Sequence, residues 1–252
     1  MLNNIKKMRK KIIAVIVAAI LLMGMFASCG TNVVEADKTL AELLGGMIEV
    51  EYTDSDLAGT WDDSNAIEVK LNDSNTTIDG DGATFEDGVL TIETAGTYVL
   101  SGKLDDGQIL VSAEDSDKVQ IVLNGVNITN SSGSAIDIEK ADKVFITLAD
   151  GTTNKVADGS SYTSTEDESY ATIFSKDDLT INGSGSLSVD GNYNNGITSK
   201  DDLKITGGVI TINAKNVGIK GTDSVAICDG TIKITSEGDG IKSTKTNDDT
   251  KG

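Results

Sequence analysis

From about residue 67 onward, apolar and polar residues alternate with a period of two. IEVKL, VLTIE, TYVL, QILVS, KVQIVL, VNIT, AIDIE and KVFITL are short runs of this kind, each bounded by Gly, Asn, Asp or Ser. They predict short β-strands joined by tight turns. The chain contains no proline to interrupt their pairing, so the domain reads as all-β.

The alternation also repeats at longer range. Aligned on their isoleucines, SKDDLTINGSGSLSVDGNYNNGI, SKDDLKITGGVITINAKNVGI and GTDSVAICDGTIKITSEGDGI follow one another, with Ile173, Ile197, Ile219 and Ile241 separated by 24, 22 and 22 residues. Leu179, Leu203 and Val225 share one inward slot; Ile181, Ile205 and Ile227 share the next; Leu187, Ile210 and Ile232 share a third. A register held this way predicts a right-handed parallel β-helix, a solenoid of roughly 22–24-residue coils in which each coil stacks on the last. Ile136 extends the ladder one coil upstream, and GTTNKVADGSSYTSTEDESYAT is expected as an inserted loop at one corner. After Ile241 the chain runs KSTKTNDDTKG, without the strand that the grammar requires next, and so reads as a piece of a longer protein.

The first residues follow different rules. Lys6, Lys7, Arg9, Lys10 and Lys11 precede the apolar run IIAVIVAAILLMGMF, which ends in Ala27-Ser28-Cys29. FASC has the form of a bacterial lipobox, in which Cys29 is lipidated and becomes the new N-terminus. Three regions follow: a lipoprotein signal peptide over 1–28, a tether over 29–60 with one short helix at EADKTLAELL, and the β-domain over 61–252, opening on the single tryptophan, Trp61. The expected location is extracellular, at the cell surface, with the membrane touched through the lipid anchor only.

Charge narrows the chemistry. The chain has 40 acidic and 21 basic residues, 27 glycines, 4% aromatics and no histidine. Removing the signal's five basic residues leaves 16 against 40 acidic, a net charge of −24, and Arg9 was the only arginine. Such a surface repels nucleic acid, which is excluded as a partner. Catalysis through histidine and histidine-bound zinc are excluded too. Cys228 is the only cysteine outside the signal and lipobox, so no intramolecular disulfide forms in the mature domain. Abundant oxygen ligands and scarce softer ones favour calcium among metals.

Several segments carry a resemblance. TAGTYVLSGKLDDGQI, KVQIVLNGVNIT, ADKVFITLADGTTN, IFSKDDLTINGSGSL, NGITSKDDLKITGG and GDGIKST resemble, in order, the clostridial carbohydrate-binding domain-containing secreted lipoproteins, related in shape to polysaccharide lyases, from about Trp61 onward. The resemblance implies a calcium-binding parallel β-helix. It also implies non-catalytic binding of plant cell-wall polysaccharide, either acidic pectic chains or cellulose.

The repeated aspartates are the candidate metal ligands. Stacked strands lie about 4.8 Å apart, so Asp177, Asp201 and Asp223 form one column at a turn with Asp178 and Asp202 beside them. Either Lys176 and Lys200 neutralise that column or Ca²⁺ sits within it. A second column, Asn195, Val217 and Asp239, precedes the ladder isoleucines and carries charge only at Asp239. Lys176, Lys200, Tyr193 and Asn195 are the candidate sugar contacts, and calcium bridging protein and uronate carboxylates is the expected mode. Two other classes fit the same features. A calcium-dependent polysaccharide lyase would draw its base from Lys176, Lys200, Lys204, Lys220 or Lys242, and a structural adhesin would bind a protein partner. A monomer is expected.

Overall fold

A computed structural model describes residues 50–163 and 170–245, all within the second of two compact units, Ile48–Gly252. Cys29, the signal and the helix expected at 35–44 lie outside the described residues. None of the described helices is long and apolar enough to cross a membrane.

The alternation produces two sheets. The first contains β1 (Ile67–Asn72), β2 (Thr77–Asp79), β5 (Gly96–Leu104), β7 (Lys118–Asn130), β9 (Lys143–Leu148), β10 (Thr153–Asp158), β12 (Asp178–Gly183), β13 (Ser186–Gly191), β15 (Asp202–Ala214) and β17 (Ser224–Ser236). The second contains β3 (Ala83–Glu86), β4 (Val89–Ile92), β6 (Gln108–Ser112), β8 (Ile136–Lys140), β11 (Ala171–Ser175), β14 (Asn195–Ser199), β16 (Ile219–Gly221) and β18 (Ile241–Ser243). Its spatial order is β18-β16-β14-β11-β8-β6-β4-β3. Among the described strands, β1–β2 and β3–β4 alone pair antiparallel.

The ladders pair as the sequence aligned them. Leu179 faces Leu203 and then Val225, Ile181 faces Ile205 and then Ile227, and Leu187 faces Ile210 and then Ile232. In the second sheet Ile136, Ile173, Ile197, Ile219 and Ile241 form one row. The inward rows of both sheets share one core, in which Ile121, Ile146, Ile181 and Ile205 meet Ile109, Ile136, Ile173 and Ile197. Each such side chain contributes about 1.5–3 kcal/mol by burial.

The expectation of a right-handed parallel β-helix solenoid requires correction. Parallel pairing runs through six strands and returns on itself, β7 to β10, β13, β15, β12, β9 and back to β7, beside the second sheet. The cause lies in β7 and β15, thirteen residues each. The first part of β7 pairs with β9 and its last part with β10; β15 divides likewise between β12 and β13. Gly125 and Gly208, with φ of 81° and 90°, stand at the two changes of partner, where side-chain-bearing residues are disfavoured. KVQIVL and VNIT, which the sequence reads as separate short strands, are therefore one strand. The loop expected after Ile136 is also partly strand, since Thr153–Asp158 forms β10 within the ring. That insertion stretches the step from Ile136 to Ile173 to 37 residues, so the coils are not uniform.

Residues 51–66, mostly assigned by sequence to the tether, lie across the first sheet. Thr53 caps the four-residue helix α1 (Asp54–Leu57) in a reciprocal capping box with Asp56. Asp56 is fully buried, with Lys143 Nζ 2.6 Å and Lys204 Nζ 3.3 Å from its carboxylate, and it accepts a 2.7 Å hydrogen bond from Thr180 Oγ1. Farther on, Trp61 packs against Val99, Val122 and Ala149. This strap explains why Thr147, Thr180 and Asn182, polar residues outside the core cluster, are nonetheless buried.

Candidate functional site

Directly after each ladder isoleucine of the second sheet comes a residue on the opposite, outer face. Pairing puts Asp137, Phe174, Thr198, Lys220 and Lys242 in one row across β8, β11, β14, β16 and β18. Phe174 is buried although it lies outside the core cluster. At the β14–β18 end of the row is a cleft of about 520 Å³, lined by Lys200, Lys220 and Lys242 together with Tyr170, Asn195, Asn216 and Asp239. Lys242 pairs with Asp239 at 3.0 Å. Asn195 is held by two bonds: its Nδ2 donates to Thr198 Oγ1 at 3.2 Å and its Oδ1 accepts from Val217 N at 3.1 Å. Three lysines thus line one cleft of a strongly acidic chain.

A ridge of tyrosines borders the cleft. Tyr193 stacks on Tyr162 at 4.4 Å and meets Tyr170 at 5.9 Å with the rings tilted. Tyr162 donates a hydrogen bond to Asp158 Oδ2 at 2.8 Å. Burial, followed by the Asp158 charge, raises the Tyr162 pKa, so the phenol stays protonated. Beyond the ridge lies a second cleft of about 400 Å³, lined by Asp106, Asp137, Glu139, Ser134 and Tyr162 among others.

The candidate metal ligands do not converge. Asp177 Oδ2 accepts from Ala141 N at 2.9 Å, Asp178 Oδ1 from Asp202 N at 3.2 Å, and Asp202 Oδ1 from Ser224 Oγ at 2.8 Å. Asp223 faces Lys245 at 2.8 Å, and Asp239 faces Lys242. Asp201 keeps to the same turn, its amide accepted by Ser199 Oγ. Register puts Lys143 opposite Asp178, at one end of the acidic column. Among the described residues no three acidic or sulfur side chains come together as a metal site, and this donor set does not fit a calcium cage. Burial, with Asp115 and Asp178 nearby, raises the Asp177 pKa; burial, with Asp202 and Asp201, raises that of Asp178.

Of the sugar contacts expected from sequence, Lys200 and Asn195 line the lysine cleft and Tyr193 lies in the ridge, while Lys176 does not line the cleft. Lys220 and Lys242, named from sequence only as candidate bases, complete it. Their signal was the repeated GIK after each ladder position. Lys204, another candidate base, is committed to Asp56 beneath the strap.

Comparison with known proteins now bears on this site. The family described as "Carbohydrate-binding domain-containing protein" matches residues 86–252, the segment holding both clefts. The chain belongs to that family. A relative in this carbohydrate-binding family, from Acetivibrio thermocellus, is 45% identical over 155 residues, 60% of this chain and 54% of its own length. The chain thus spans about half of that relative. The solved structure of a polysaccharide lyase-like protein from C. thermocellum, as a gadolinium derivative, matches with a TM-score of 0.71 at 41% identity, covering 73% of this chain and 75% of the other.

Proposed function

We propose that this carbohydrate-binding domain holds an acidic, uronate-bearing polysaccharide in the lysine cleft without cleaving it, at the outer surface of a cell to which Cys29 anchors it. The observation that carries the reading is the convergence of Lys200, Lys220 and Lys242 in one cleft of a chain with net charge −19. The ammonium groups meet carboxylates, Asn195 and Asn216 meet hydroxyls, and Tyr170 offers a ring face. Pectic chains satisfy these demands better than cellulose, which offers the lysines no carboxylate. Calorimetry with an oligogalacturonide tests it: Lys220→Glu is expected to weaken binding about ten-fold or more, while Lys103→Glu, remote from the cleft, leaves it unchanged. Equal affinity in both variants refutes the reading. Unsaturated uronide absorbance appearing with purified protein would replace binding by lyase activity.

Because Asp177 and Asp178 are held by separate partners, binding is expected to persist in excess EDTA, and its abolition would count against the lysine cleft as the carrier of the ligand.

A further inference from the structure

The row that carries Lys220 and Lys242 at one end carries Asp137 at the other. Four strand spacings separate Asp137 from Lys242, roughly 19 Å, enough for several sugar units. The tyrosine ridge links the two ends, since Tyr170 lines the lysine cleft, Tyr162 lines the acidic one, and Tyr193 touches both. The outer face thus carries opposite charge at its two ends, with the buried Phe174 and Thr198 in the row between them.

The acidic cleft is built to accept hydrogen bonds. Asp106, Asp137 and Glu139 contribute carboxylates. Two side-chain amides line the cleft, and Gln108 Nε2 and Asn130 Nδ2 each direct one N–H to the Ser134 carbonyl, at 2.9 and 2.8 Å. They fix Ser134, which is 1% exposed and lines the cleft, while its hydroxyl has no hydrogen-bond partner. The Tyr162 hydroxyl, which donates to Asp158, lies close to it without meeting hydrogen-bond geometry. A buried hydroxyl left this way is satisfied by a ligand hydroxyl, and surrounding carboxylates favour donors while repelling uronates.

We propose that this cleft is a second sugar site, taking uncharged, hydroxyl-bearing units, so that the preferred ligand is a polysaccharide in which an acidic stretch adjoins neutral sugars. This rests on the acidic-polysaccharide reading for the preferred ligand, while the cleft's own affinity for neutral sugar is measured separately. Calorimetry on the full chain uses three probes of equal length: an oligogalacturonide, an oligomer alternating galacturonate with a neutral sugar, and a neutral oligosaccharide. Wild type is expected to bind the mixed oligomer roughly ten-fold tighter than the homopolymer. Asp137→Asn/Glu139→Gln weakens the mixed oligomer, strengthens the homopolymer and closes that gap; Ser134→Ala, at an unchanged melting temperature, weakens only the two neutral-bearing probes. No preference in wild type, or a preference unchanged in the double variant, overturns the proposal. So does tighter binding of a protonated amino-sugar oligomer than of the neutral one, which would make the cleft a cation site. Loss of homopolymer binding with neutral binding intact would instead count against the lysine cleft alone.

Discussion

Asp56 is the residue on which the strap depends. Burial pushes its pKa up, but hydrogen bonds from Lys143, Thr180 and the Thr53 amide outweigh this and hold the carboxyl well below the usual carboxylate range. Asp56→Ala leaves two nearly buried ammonium groups without their counter-charge, and a loss of about 3–5 kcal/mol is expected in urea titrations. The pH dependence follows from the depressed folded-state value. The advantage of wild type over Asp56→Asn is full above about pH 4, the ordinary value for an unfolded aspartate, and disappears as pH falls through the folded-state pKa. Paired melts between pH 7 and pH 2 read this directly, and an advantage that grows on acidification contradicts it. None of this was legible in EYTDSDL. One of three acidic residues in a polar stretch gives no sign of burial, because its partners lie 87 to 148 positions away, at Lys143 and Lys204.

At the scale of strands, the aliphatic slots were readable because a period of two and a spacing of 22 to 24 residues constrain the same positions. The closed ring was not, because alternation marks strand but not where a strand changes partner. The change falls at glycines, and in turn-rich sequence such a glycine looks like any other. Gly183, which pairs with Leu148 across β12 and β9, has φ of 94°, and a Cβ there would stand 2.3 Å from the Leu148 carbonyl oxygen. Gly183→Ala is therefore expected to cost on the order of 1–3 kcal/mol from backbone strain alone, with a matching fall in melting temperature. Gly125→Ala supplies the comparison, because its Cβ meets nothing within 4 Å and only the strain at φ 81° remains. Equal losses in the two variants would show that contact with Leu148 contributes nothing.

Over the whole molecule, charge and apolar surface are both unevenly spread. The lysine cleft stands on a strongly acidic body, so oligogalacturonide affinity should fall as salt rises from 0.05 to 0.5 M, roughly as screening shortens. A neutral oligosaccharide should show little change over that range. The aliphatic rows that are sealed at Leu203, Ile205 and Ile219 emerge at β17 and β18, where Ile227 is 40% and Ile241 48% exposed. The site itself was half legible. Lys200 and Asn195 were visible beside repeated motifs, but the acidic cleft draws on β4, β6, β8 and the insertion after β10, which no local motif connects. The strap carries a consequence in time. Its hydrogen bonds join Asp56 to Thr180 and Thr206, 124 and 150 residues later. A chain synthesised from its N-terminus must pass Lys143 before this latch has anything to catch and reach Thr206 before it is complete, so its fastening is a late event of folding, and refolding followed by Trp61 fluorescence should report it as the slowest phase.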